Sequence, residues 1–89
     1  MITRTITIQN KLGLHARAAS VFVKTAAGFA SSIKIENKDR DADGKKIMSV
    51  MLLQAACGTD VTLTTEGPDE EAAMQALENL INDKFGEEE

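Results

Sequence analysis

Three short segments of this chain alternate apolar and polar residues with a period of two, and they restrict what it can become. Ile2, Ile6 and Ile8 alternate with Thr3, Thr5 and Thr7, with Arg4 the single break in the apolar phase. Ile33 and Ile35 alternate with Ser32, Lys34 and Glu36, and Val61, Leu63 and Thr65 with Thr62 and Thr64. Successive side chains on a strand point to opposite faces, so each segment reads as a half-buried strand. Strands with one apolar face and one threonine-rich face call for a single antiparallel sheet, covered by helices on one side and open on the other.

The intervening segments supply those helices. Asn10-Lys11-Leu12-Gly13 is a polar turn, and from Ala16 the pattern becomes helical, with Ala19, Phe22, Val23 and Ala26 recurring at spacings of three and four. Gly28 is placed to stop that helix. A short, polar strand is expected around Arg40 to Asp43, after the turn Asn37-Lys38-Asp39. Ile47, Met48, Val50, Met51 and Leu52 form a short apolar helix. Asp69, after the breaking Gly67-Pro68, is suited to cap a final helix that buries Ala73, Leu77, Leu80 and Ile81. Glu87-Glu88-Glu89 reads as a frayed, solvated tail. The predicted order is β-α-β-β-α-β-α, an α+β fold, with residues 1–89 forming one domain.

Composition removes several classes of function. At 89 residues there is room for one two-layer core and no second one. The chain has no tryptophan or tyrosine and a net charge of −4, which argues against nucleic-acid binding by stacking or by phosphate attraction. Cys57 is the sole cysteine, so no intramolecular disulfide can form. With one histidine and one cysteine, a structural zinc site built from this chain is not expected. No apolar run is long enough for a signal peptide or membrane span, so a cytoplasmic protein is expected.

The only histidine lies in Gly13-Leu14-His15-Ala16-Arg17. A lone histidine in a small protein is ordinarily a surface or capping residue, and two features weigh against that plain reading. His15 falls just before a helix start, where free N–H groups and the helix dipole favour an anion. Arg17 adds a permanently charged fork suited to phosphate oxygens. Together they suit a ring that carries a phosphoryl group covalently. Cys57, in Ala55-Ala56-Cys57-Gly58, reads as a helix-end residue, and the acidic Asp69-Glu70-Glu71 as a dipole-matched first turn.

Apolar residues surround the short helix at Ile47 almost completely, and one helix cannot bury every face against one sheet. Some must be exposed, and adaptable methionines suit a surface that meets more than one partner.

Gly13-Leu14-His15-Ala16-Arg17, Gly44-Lys45-Lys46-Ile47-Met48-Ser49-Val50-Met51 and Glu66-Gly67-Pro68-Asp69-Glu70-Glu71-Ala72 together resemble the HPr family. These are the histidine-phosphorylated shuttles of the bacterial phosphoenolpyruvate phosphotransferase system. The resemblance implies an open-faced β-sandwich with sheet order 1-4-2-3 and three helices on one face. It implies a monomeric carrier, not an enzyme, whose His15 is phosphorylated on Nδ1 by phospho-enzyme I and donates to a IIA domain. Arg17 and the amides of Ala16 and Arg17 would receive the phosphoryl group, and Ile47, Met48 and Met51 would form the docking surface. No cofactor or metal is required, since the group arrives activated.

Three positions depart from the family pattern. Ala18 follows the arginine where proline is frequent, Ser20 replaces a small apolar residue, and Lys46 occupies the place of a regulatory serine. The lead-in to His15 and the acidic C-terminal end resemble the nitrogen-related branch, NPr, whereas Ile47-Met48 is equally at home in sugar-transport carriers.

Overall fold

The computed structural model describes residues 1–88. In chain order the elements are β1 (Ile2–Thr7), α1 (Ala16–Ala27), β2 (Ser32–Asn37), β3 (Arg40–Asp43), α2 (Ile47–Leu52), β4 (Asp60–Glu66) and α3 (Glu70–Asn82). A single 3₁₀ turn, Lys84–Gly86, follows α3. The sheet runs β1-β4-β2-β3, with every neighbouring pair antiparallel. β4 therefore lies between β1 and β2, although it is the last strand made.

The alternation read from the sequence is what separates the two faces. Ile6, Ile33, Ile35, Val61 and Leu63 are buried in one cluster with Phe22, Ala26, Met74, Leu77 and Ile81 of the helices, and buried Thr65 donates its hydroxyl to the Glu70 carbonyl at 2.9 Å. Thr3 sits opposite Thr64 on the uncovered side, and their hydroxyls lie 3.3 Å apart. Arg4, the break in β1, is explained by a partner on its own, helix-covered side: its guanidinium meets the Glu78 carboxylate of α3 at 2.5 Å.

Two readings of α3 need correction. Met74 is fully buried where Leu80 was expected, and Leu80 is only partly covered. Asp69 precedes α3 as expected, but its side chain makes no cap bond. The carboxylate instead accepts hydrogen bonds from the Ala30 amide (2.9 Å) and from the Ser31 amide (2.9 Å) and hydroxyl (2.5 Å). Three donors presented together by the segment before β2 outcompete the helix's own N–H groups. The helix start is served by Glu70, whose carboxylate accepts from the Gly67 amide at 3.1 Å.

The Ser31 hydroxyl, followed by the Ala30 amide, holds the Asp69 carboxyl below its usual range. A carboxyl whose folded-state value is depressed adds stability above its unfolded value and loses it as pH falls through the folded one. The stability contributed by the Asp69 clasp should therefore be lost as pH falls below the ordinary aspartate range. In Asp69→Asn, stability from urea melts should fall less steeply across that range than in the parent protein.

Candidate functional site

The site begins where β1 ends. Ile8 is buried, and the next turns of chain are pinned by a fully buried Asn10, whose Nδ2 donates to the Gly13 carbonyl at 2.7 Å. Gly13 has φ +68, and a Cβ there would stand 2.5 Å from the Ala55 carbonyl oxygen, so only glycine fits this close approach. The Leu14 amide then bonds the same carbonyl at 2.8 Å, with the Leu14 side chain buried. His15 emerges from this anchored turn as the N-cap of α1, in extended backbone (φ −83, ψ −178).

As N-cap, His15 gives its carbonyl to the Ala19 amide (2.8 Å), while its ring makes no cap bond. The ring is thus free for other work, and its side chain is 29% exposed. The first-turn amides of α1 have no partners within the helix, and that turn contains no acidic residue. Ala16 and Arg17 are exposed beside the ring, and Leu12, His15, Ala16, Arg17, Phe85 and Glu87 line one cleft. Helix propensity carries α1 through Ala18, which is wholly buried, without the first-turn proline.

Glu87 corrects the reading of the acidic end as a solvated tail. Its Oε2 lies 2.5 Å from His15 Nε2, and its Oε1 accepts from Asn10 Nδ2 at 2.9 Å. Burial pushes the Glu87 carboxyl up, but hydrogen bonds from Asn10 and His15, with the charges of His15 and Arg17, outweigh it and leave a net lowering. Glu88 is exposed, and Glu89 lies outside the described residues. Phe85, buried in the core, anchors the returning chain.

The apolar helix α2 divides as its composition required. Val50 is fully buried, while Met48 is 67% exposed, Ile47 38% and Leu52 63%. Met51 packs partly against the core. Leu52, and Leu12 in the turn before His15, are exposed apolar side chains that sequence reasoning did not place on the surface patch. Lys46 is the N-cap of α2 without a side-chain cap bond, and Lys45 donates to the Phe29 carbonyl at 2.8 Å. Cys57 does not end a helix. α2 stops at Leu52, and the exposed thiol lies in the following loop, 3.6 Å from the Gln9 carbonyl.

Among the described residues, no group of three or more His, Cys, Asp or Glu side chains could hold a metal ion, and no helix is long and apolar enough to cross a membrane. Residues 2–83 match the family described as the PTS HPr component phosphorylation site.

The chain belongs to the HPr family.

It is 51% identical to the phosphocarrier protein HPr of Cupriavidus necator and 49% identical to that of Neisseria meningitidis, over the full length of each. The crystal structure of HPr-C-His from Thermoanaerobacter tengcongensis superposes with a TM-score of 0.95 at 48% identity, covering both chains completely. HPr from Bacillus anthracis gives 0.87 at 36% identity, covering 90% of this chain and 95% of that one. The sheet order 1-4-2-3 and the three helices on one side are those of the HPr fold. The chain is accordingly a histidine phosphocarrier of the phosphotransferase system, a bearer of a phosphoryl group and not an enzyme.

Proposed function

We propose that His15 is the phosphorylated residue, loaded on Nδ1 by phospho-enzyme I and unloaded to a IIA domain. One observation carries this reading: the only histidine of a phosphocarrier chain sits at the N-cap of a twelve-residue helix, in one cleft with Arg17. In loading, the Nδ1 lone pair attacks phosphorus, the Nδ1–P bond forms, and the bond to the donor's leaving atom breaks with its electron pair. The amides of Ala16 and Arg17 and the Arg17 guanidinium receive the phosphoryl oxygens. Unloading is the reverse displacement, by the acceptor's nucleophile. The carrier acts as a cytoplasmic monomer, residues 1–89 forming one domain, and needs no cofactor because the group is activated before it arrives.

Ile47, Met48 and Met51 form the docking surface, used in turn by the donor and the acceptor. The exposed Lys46 adds a positive charge beside Met48 and favours acidic partner faces. The test of the whole reading is incubation with enzyme I, magnesium (for enzyme I) and phosphoenolpyruvate, followed by intact-mass measurement. One acid-labile, base-stable phosphoryl group on His15 is expected. A Met48→Asp variant should melt within about 0.5 kcal/mol of the parent, as exposed substitutions do. Its loading and unloading should both weaken by about tenfold, the loss expected when an interface contact worth more than about 1 kcal/mol is removed. Circular dichroism melts with transfer assays in both directions check this, and a collapsed fold would make Met48 a core residue.

A further inference from the structure

The C-terminal segment spends three successive left-handed residues, Lys84 (φ 57), Phe85 (φ 57) and Gly86 (φ 81), to turn back from α3. Two of these are not glycine, so the turn is strained, and residues are held in such conformations only where surrounding structure dictates it. The Gly86 and Glu87 amides bond the Asp83 and Lys84 carbonyls at 3.0 Å each, and Phe85 is seated in the core. The outcome of this turn is that the Glu87 carboxylate stands against His15 Nε2.

That carboxylate is held at both oxygens, since a wholly buried Asn10 takes the other one. Asn10 also grips the Gly13 carbonyl, so one amide fixes the carboxylate relative to the turn that carries the ring. An ionised carboxylate can only accept hydrogen bonds, and a neutral imidazole donates from one nitrogen while the other keeps a lone pair. The His15–Glu87 contact therefore requires the proton on Nε2 and leaves the lone pair on Nδ1.

We propose that Glu87 is a positioning residue that keeps the His15 proton on Nε2 and so makes Nδ1 the nucleophile. This deepens, and rests on, the assignment of His15 as the phosphorylated residue. Loading leaves the ring as a phosphoimidazolium, Nδ1 bonded to phosphorus and Nε2 still protonated, with Glu87 facing the new positive charge. When Nδ1–P breaks, its electron pair passes to Nδ1 in effect unchanged from the start, and the ring returns neutral with Nε2–H in place. No proton leaves or enters in either direction. Among the described residues, the other charged side chains lining the cleft with the ring are Arg17 from α1, Lys11 from the preceding turn and Glu88 from the same C-terminal segment.

The experiment compares the parent, Glu87→Ala and His15→Ala as full chains. Ring nitrogen resonances by ¹⁵N NMR give the tautomer, and quench-flow with phospho-enzyme I gives the loading rate. In Glu87→Ala the Nδ1–H fraction should rise several-fold and loading should slow by roughly tenfold, equivalent to about 1.4 kcal/mol of barrier. Losing the Asn10 and His15 hydrogen bonds should lower the thermal melt without unfolding the chain, so the tautomer ratio is the readout that a merely structural role would not move, and Glu87→Gln should load at an intermediate rate. An unchanged tautomer ratio, or loading as fast as the parent or faster, would overturn the role of Glu87 while leaving His15 in place. Labelling of His15→Ala would instead remove the reading on which it rests.

Discussion

His15→Ala should give a protein that folds and accepts no phosphoryl group. The ring is not part of the core: its side chain is 29% exposed, and as N-cap it makes no side-chain cap bond that could be lost. Among the described residues the ring's polar contact is with Glu87, whose side chain is 14% exposed. Loss of a single hydrogen bond to an ionised carboxylate costs roughly 1.5–3 kcal/mol, less than the roughly 5–15 kcal/mol of a domain of ordinary stability. Chemically the loss is complete, because the chain has no other imidazole. Intact mass after treatment with enzyme I and phosphoenolpyruvate, alongside a thermal melt, checks both halves. Stoichiometric labelling of the folded variant would place the phosphoryl group elsewhere.

Arg17→Ala should slow loading by about ten- to a hundredfold. A charge-assisted hydrogen bond contributes roughly 1.5–3 kcal/mol, and each 1.4 kcal/mol of barrier is about tenfold in rate. The side chain stands exposed on the first turn of α1, so the melt should stay within about 0.5 kcal/mol of the parent. Arg17→Lys should recover part of the rate, since the charge remains but the planar two-pronged fork does not. Rapid-quench transfer from phospho-enzyme I measures this, and parental rates in both variants would make Arg17 a bystander. Removal of Arg17 also withdraws a positive charge acting on Glu87, so some of the loss should be traceable to the ring's other side.

Much of the fold could be read from local pattern. Period-two alternation placed β1, β2 and β4, and the spacing of Ala19, Phe22 and Ala26 placed the buried face of α1. Alternation says which face of a strand is buried but nothing about its neighbours, so the order β1-β4-β2-β3 followed only from resemblance to a family. The apolar excess around α2 correctly implied exposed methionine, because it is an argument about available surface. What was missed depended on partners distant in the chain. Asp69 carries an excellent local signal for a cap, yet its carboxylate is claimed by Ala30 and Ser31, 39 and 38 residues away. Glu87 sits in a run of three glutamates without periodicity, and its partner ring is 72 residues earlier. Asn10 looked like turn chemistry, and nothing local distinguishes a solvated turn amide from one buried between two acceptors.

The position of β4 has a consequence for how the chain reaches this structure. β1 has one neighbour only, and that neighbour is β4: Thr7 is paired with Asp60 and Ile2 with Thr65. The other edge of β4 holds β2, so the β2–β3 hairpin can form early but has nothing to join until β4 is in place. A nascent chain that has not yet reached Glu66 therefore holds a hairpin and an orphaned strand, not a partial sheet. Pairings so far apart in sequence slow the search for the folded state. β4 is thus the strand that joins the two halves into one sheet.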